Sequence, residues 1–272
     1  MHLMSCEYPI LVVILKEKIM AKVIAPFKIV GTLNDMTFYE ASNQNLVREK
    51  GKSGITKKQF KENLIFDKIR QQGTEFGSCS RKSRVFRLLA KQFYDQAKEV
   101  SFAGRVNRLL FEILEEDTSQ PRGKRTLENG LQHHGSIEFL LHFEGNTLRP
   151  LKHVLKKKVV FDWKKSKINL SRINVVNDIL WPEPEANQVH LQLALANWNY
   201  KEDTFEHHYS NEICVEKIDQ TTTLSFTIDS LQTQNLWLAY IFIGFSNKER
   251  NRTKPLHKKW NTTTIIGVSD VF

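Results

Sequence analysis

The stretch "NLWLAYIFIGF", residues 235–245, is apolar on both of its faces. A strand exposed on one side alternates apolar and polar residues, whereas a strand covered on both sides does not. This segment therefore reads as the central strand of a sheet with material packed on each face. Its neighbours agree. "VHLQLALANW" (189–198) sets Val189, Leu191, Leu193 and Leu195 against polar or small partners, and "TLSFTID" alternates Leu224, Phe226 and Ile228. "VVFDW", "KINLSRI", "HYSNEICVEKI" and "NTTTIIGVSDVF" add further short strands, with the proline-rich connection "WPEPEAN" (181–187) among them. About seven short strands over this half predict a β-sandwich of immunoglobulin-like type.

Working back toward the N-terminus, the periodicity changes. Residues 56–131 turn helical. Thr56 is a fitting N-cap for a helix from about 57 to 72, and "GTEFGSCS" (73–80) interrupts. Ser80 caps a second helix to about 99 and Ser101 a third to about 116, with Val106, Leu109, Leu110, Ile113 and Leu114 at helical spacing. Pro121 permits a fourth start and Gly130 a stop. Before that, "FKIVGTL", "MTFYEA" and "NLVREK" read as a three-stranded meander with turns at "ND" (34–35) and "SNQN" (42–45). Such a sheet is barely stable alone.

The expected fold is α+β: a β-meander plus an antiparallel helical hairpin, then the sandwich. Residues 1–21 form an N-terminal extension outside the fold, 22–134 the meander and helices, and 135–272 the sandwich. "YPILVVIL" (8–15) is about half a membrane span, so no spanning segment is expected. Cys6, Cys79 and Cys214 are odd in number and unrelated in spacing. They read as reduced thiols of a cytoplasmic protein.

The chain has 272 residues and a net charge of +10. Residues 48–91 hold 13 Lys and Arg against 4 Asp and Glu, while residues 131–272 hold 17 against 15. Any electrostatic function therefore belongs to the N-terminal half. "RKSRVFRLLAK" (81–91) is its densest part. On a helical wheel Val85, Phe86, Leu89, Phe93 and Ala97 share one face, and Arg84, Arg87, Lys91 and Lys98 gather opposite, with Asp95 beside them. Lys57 and Lys58 lie upstream, and Arg122, Lys124 and Arg125 in "QPRGKR" (120–125) form a second basic spot. These nine residues are the candidate polyanion-binding set.

A competing expectation would cancel this charge. If the second and third helices pair head to tail, Arg81, Lys82 and Arg84 meet Glu115, Glu116 and Asp117, and both helix dipoles are relieved. The five lysines of "LKKKVVFDWKK" (155–165) then read as edge-strand protection.

No catalytic motif is found: neither a phosphate-cradling glycine loop nor a G-x-S-x-G elbow occurs. His133–His134 and His207–His208 are adjacent pairs, which on a strand point to opposite faces and chelate poorly. The five tryptophans all fall in the β half and read as core. No cofactor, metal or small-molecule substrate is expected.

"GTLNDMTFYEA", "LVREKG" (46–51), "IRQQGTEFG" (69–77), the leucine-rich helices and "SQPRGKR" (119–125) together resemble an uncharacterised bacterial family. The likeness covers about residues 22–131. Its members open with a glycine and aromatic hairpin and close in a variable β-rich half. "GKSGITKKQFK" departs from the family's more polar, glycine-rich loop. The resemblance implies a start near Met20 and a cytosolic bacterial setting, and brings no activity, cofactor or site residue. The leading expectation is thus a non-enzymatic interaction or assembly protein with a protein partner or self-association. The alternative is a nucleic-acid-binding protein.

Overall fold

The structure is a computed structural model. It describes residues 20–23, 27–51, 54–133, 135–165, 167–183, 185–218, 221–227, 236–250 and 252–270. Of the extension read at 1–21, residues 1–19 lie outside the described residues, as do His134 and Ile228, while Met20 and Ala21 belong to a strand of the first sheet rather than lying outside the fold. The chain is mixed α+β and divides into two compact units, 1–63 and 64–272. The division expected between 134 and 135 instead runs through the interior of the second unit.

The first unit holds a four-stranded antiparallel sheet of β1 (Met20–Lys22), β2 (Gly31–Leu33), β3 (Met36–Ala41) and β4 (Gln44–Glu49), in the order β1-β4-β3-β2. Both hairpins close in two residues, since Leu33 pairs with Met36 and Ala41 with Gln44. Asn34, Ser42 and Asn43 take positive φ there, a conformation that short polar side chains tolerate. The meander is therefore as read, widened by β1, whose Met20 pairs with Arg48. Helix α1 (Lys57–Glu62) follows. Thr56 caps it as expected: Gln59 N donates to Thr56 Oγ1 at 3.2 Å, and Thr56 N donates to Gln59 Oε1 at 2.9 Å. It ends at Glu62 rather than at residue 72.

In the second unit α2 (Asp67–Phe86) runs unbroken through "GTEFGSCS". Gly73 and Gly77 face open space. Each costs about 1 kcal/mol in a helix interior. Tertiary packing overrides that cost, because buried Cys79 and Glu75 lie in the same stretch. Residues 87–90 then tighten, with Leu88 N donating to the Val85 carbonyl and Leu89 N to that of Phe86. Helices α3 (Lys91–Ala97), α4 (Phe102–Glu115), α5 (Leu127–Gln132) and α6 (Leu151–Val154) complete the set. The expected helix over 81–99 is thus split between α2 and α3, yet its apolar face holds: Phe86, Leu89, Phe93 and Ala97 are wholly buried. Helices α2 and α4 run in opposite directions, with Phe76 against Phe111 and the Cys79 thiol on the Leu110 carbonyl.

The sheet of this unit is built on β6 (Gln188–Asn199) and β10 (Leu236–Glu249), antiparallel from Leu236↔Trp198 to Ser246↔Gln188. β7 (Thr204–Tyr209) and β8 (Ile213–Glu216) both line the outer edge of β6. β11 (Arg252–Pro255) and β12 (Thr262–Asp270) both line that of β10. Six strands thus make a curled sheet four strands wide. β5 (Lys167–Asn174) pairs with β9 (Thr221–Thr227).

The central strands are covered on both faces, as the sequence of 235–245 predicts for β10; β6, read as alternating, is buried on both faces as well because its small and polar residues lie under the helices. Leu238, Tyr240, Phe242, Ala194, Ala196 and Trp198 share one core with the buried faces of α2, α3 and α4. The alternate residues Trp237, Ile241, Ile243, Leu193 and Leu195 share a second core with Ile168 and Leu170 of β5 and Leu224 and Phe226 of β9. The helical stretch and the β half are therefore one folding unit. Small residues of β6 let the helices approach, and large aromatics fill between: Phe86 meets Trp198 edge-on at 5.8 Å, and Phe93 stacks on Phe242 at 5.3 Å.

Candidate polyanion-binding groove

The side chains of Arg84, Arg87, Lys91 and Lys98 follow one another along the end of α2 and the length of α3. They line an open groove of about 450 Å³. Lys258, from the 3-10 turn Lys258–Trp260, joins them from the β half. Val100, Phe102 and Ala103 close the other side at the start of α4.

Two carboxylates share the groove, and both are engaged. Asp95 lies 2.5 Å from Lys91 Nζ and 2.8 Å from Lys98 Nζ. Hydrogen bonds from these two ammonium groups hold its carboxyl below the usual range. Burial pulls Glu99 upward, but hydrogen bonds from Thr147 and Ser101 and the charge of Arg105 outweigh it and leave the carboxyl lowered. Its oxygen lies 2.7 Å from Arg105 Nε. One acid is therefore spread over two lysines, and the other is spent on an arginine that does not line the groove. Among the described residues Arg84, Arg87 and Lys258 have no carboxylate partner, and Arg87 Nε donates to the Ser83 carbonyl at 3.1 Å. The groove is cationic.

The expected cancellation against Glu115, Glu116 and Asp117 does not occur. Helix α2 begins at Asp67, so Arg81, Lys82 and Arg84 fall in its last turns, where the dipole favours cations. The conflict that the pairing was to relieve is absent. Lys82 is buried and meets Glu128 at 2.7 Å and Asp203 at 2.9 Å. The acidic end of α4 is satisfied by the loop that follows. Glu115 lies 3.5 Å from Arg125, and Asp117 accepts from Ser119 Oγ at 2.6 Å, Thr126 N at 3.0 Å and Asn129 Nδ2 at 3.1 Å.

The remaining candidates are elsewhere. Lys57 and Lys58 lie exposed on α1, in the first unit. Arg125 is committed to Glu75 through Nε at 2.9 Å and Nη2 at 2.8 Å, and Gly123 N donates to the same carboxylate at 2.7 Å. Arg122 donates to Gln72 Oε1 at 3.2 Å, and Lys124 is exposed. The "QPRGKR" turn is thus a latch onto α2. Gly130, read as a helix stop, lies inside α5, which Thr126 caps, and packs against α4.

Lys258 is the groove residue that sequence reasoning missed. "HKKW" (257–260) shows a basic pair, but nothing local signals that a turn so far along the chain returns to α3. A second cleft, of about 510 Å³, gathers Lys152, Lys156, Lys157 and Lys158 beside Glu144. Burial raises the Glu144 carboxyl, even though Thr264 Oγ1 and Leu151 N donate to it. Among the described residues no three His, Cys, Asp or Glu side chains are grouped to hold a metal ion, and no helix is long and apolar enough to cross a membrane.

The fold and groove define a class: a mixed α+β chain whose helical layer carries a cationic channel. No family model, curated protein or solved structure matches it. The resemblance over residues 22–131 is carried by its motifs alone.

Proposed function

We propose that this protein binds a nucleic acid through its phosphate backbone, with Arg84, Arg87, Lys91, Lys98 and Lys258 as the contacts. The observation that carries this is five cations along one open groove, of which Arg84, Arg87 and Lys258 have no carboxylate partner among the described residues while Lys91 and Lys98 share Asp95. A stripe of this kind neutralises successive phosphates without reading bases, so binding is weakly sequence-dependent and strongly salt-dependent. The test is a titration of labelled single- and double-stranded oligonucleotides at several salt concentrations. Retardation at low salt that weakens steeply with salt supports the reading. No binding at low salt overturns it.

A second reading, assembly through the N-terminal sheet, rests on a separate observation. Leu33 and Met36 on the sheet, and Phe27 and Val30 just before it, are 55–73% exposed, the sheet being too small to bury them. Its outer strands β1 and β2 each have one unpaired edge among the described residues. Native mass spectrometry showing a strict monomer, together with no partner in a pull-down, counts against it. In either reading the β half is the scaffold. The two cores on either side of the six-stranded sheet support a layered arrangement, of which an immunoglobulin-like sandwich is one finer description.

A further inference from the structure

A second group of chemically capable side chains lies at the Gln188 end of β6. His190 stands on β6, Ser246 on β10, and Glu212 in the connection between β7 and β8. His190 Nδ1 is 2.5 Å from Glu212 Oε1, and His190 Nε2 is 2.7 Å from Ser246 Oγ. Three separate segments thus converge on one imidazole. With its Nδ1 proton donated to the carboxylate, the ring presents Nε2 as an acceptor to the serine hydroxyl, for which Gln188 Oε1 at 3.2 Å is a second acceptor.

The sheet register explains the convergence. His190 pairs with Gly244 and Gln188 with Ser246, so His190 and Ser246 are diagonal neighbours on one face. Gly244, opposite His190, lets the Phe242 ring close over the backbone. A Cβ there would lie 2.7 Å from the Phe242 ring. The result is a pocket of about 240 Å³ lined by His190, Glu212, Ser246, Thr253 and Asn261. The serine sits near the end of β10 and not on a strand-to-helix elbow, which is why no G-x-S-x-G motif marks it.

We propose that Ser246, His190 and Glu212 form a nucleophilic serine site that takes the acyl group of a short-chain ester. Ser246 Oγ bonds to the ester carbonyl carbon while its proton passes to His190 Nε2. The bond to the alcohol oxygen breaks, and the leaving alcohol takes that proton. Water then attacks the acyl carbon and gives a proton to His190. The Ser246–acyl bond breaks, the proton returns to Ser246, and a carboxylic acid leaves. Glu212 stays ionised and is a positioning residue that steadies the imidazolium. The Thr253 hydroxyl and the Asn261 amide are the donors available to the developing oxyanion. Asn261 Nδ2 uses one hydrogen on the Gln96 carbonyl at 2.9 Å and has a second to give. The small pocket limits the acyl group to a short chain, and Ser246 itself is only 1% exposed.

The full chain is treated with a fluorophosphonate probe and with p-nitrophenyl acetate, and adducts are mapped by mass spectrometry. The expected result is a single adduct on Ser246 and ester turnover that S246A abolishes. H190A slows labelling on the order of 10²-fold. Glu212 is half exposed, so E212Q keeps the fold, and it lowers kcat by about tenfold or more with KM unchanged. No adduct, an adduct only on another residue, labelling of H190A at the wild-type rate, or an E212Q enzyme with wild-type kcat would each overturn the assignment.

Discussion

The ammonium of Lys82, in the penultimate turn of α2, lies 2.9 Å from Asp203 Oδ1 in the turn between β6 and β7. It also lies 2.7 Å from Glu128 of α5 and donates to the Tyr200 carbonyl at 2.5 Å. A single cation thereby ties two helices to the sheet. Burial opposes its charge, but its hydrogen bonds to Glu128 and Asp203 raise its pKa above the ordinary lysine value. Lys82→Met leaves two carboxylates facing one another, and unfolding in urea is expected to show a loss of about 3 kcal/mol. Because the folded pKa is raised, the lysine's contribution is complete below about pH 10.4, its unfolded value. It is lost as pH rises through the folded pKa. Wild-type and Lys82→Met stabilities should converge in strong base.

The opposite limb belongs to Glu75. Its side chain is 1% exposed and sits in the fork of Arg125. The Arg125 hydrogen bond holds its carboxyl below the usual range, against the upward pull of burial. The stability it contributes is present above the unfolded value near about pH 4.3. It disappears as pH falls through the folded value. Glu75→Gln should cost about 2–4 kcal/mol at neutral pH and flatten the acid-unfolding curve. Equal acid midpoints for the two proteins would remove Glu75 from that role.

Gly130 is a packing constraint between α4 and α5. A Cβ there would stand 2.1 Å from the Ile113 carbonyl oxygen and 2.9 Å from its carbon. Backbone cannot move aside as a side chain can. Gly130→Ala is therefore expected to lower stability by about 3 kcal/mol, despite alanine's better helix propensity. A thermal melt decides between the two effects: a raised Tm would mean that propensity wins.

Charge reversal in the groove separates binding from fold. Arg84 is exposed and Arg87 half-buried, and neither has a carboxylate partner among the described residues. Arg84→Glu with Arg87→Glu should leave the melting temperature nearly unchanged. The double variant should also reduce the slope of log K against log salt by roughly 2, about 1 per phosphate contact. Arg122→Glu, outside the groove, should leave that slope alone.

How far the sequence reaches is clear from particular residues. The two-faced burial of β10, the N-cap at Thr56, the hairpin turns at Asn34 and Ser42, and the apolar face of residues 86–97 all rest on short-range sequence signals. The break predicted at 73–80 failed because glycine propensity is a local quantity, whereas Glu75 and Cys79 are fixed by partners some 30 to 50 positions away. Four of the nine candidate cations, Arg84, Arg87, Lys91 and Lys98, were legible as a groove stripe because helical spacing is local. Lys258, and the approach of His190 to Ser246, depend on strand pairing that no spacing encodes.

The double coverage of the central strands also has a consequence for biosynthesis. Helix α3 ends at Ala97, while β10, whose Phe242 its Phe93 stacks on, begins only at Leu236. On the ribosome the helices emerge with their oily sides bare and wait for half the polypeptide to be made. Nascent chains should therefore recruit holding chaperones soon after α4 appears and release them once β12 has emerged.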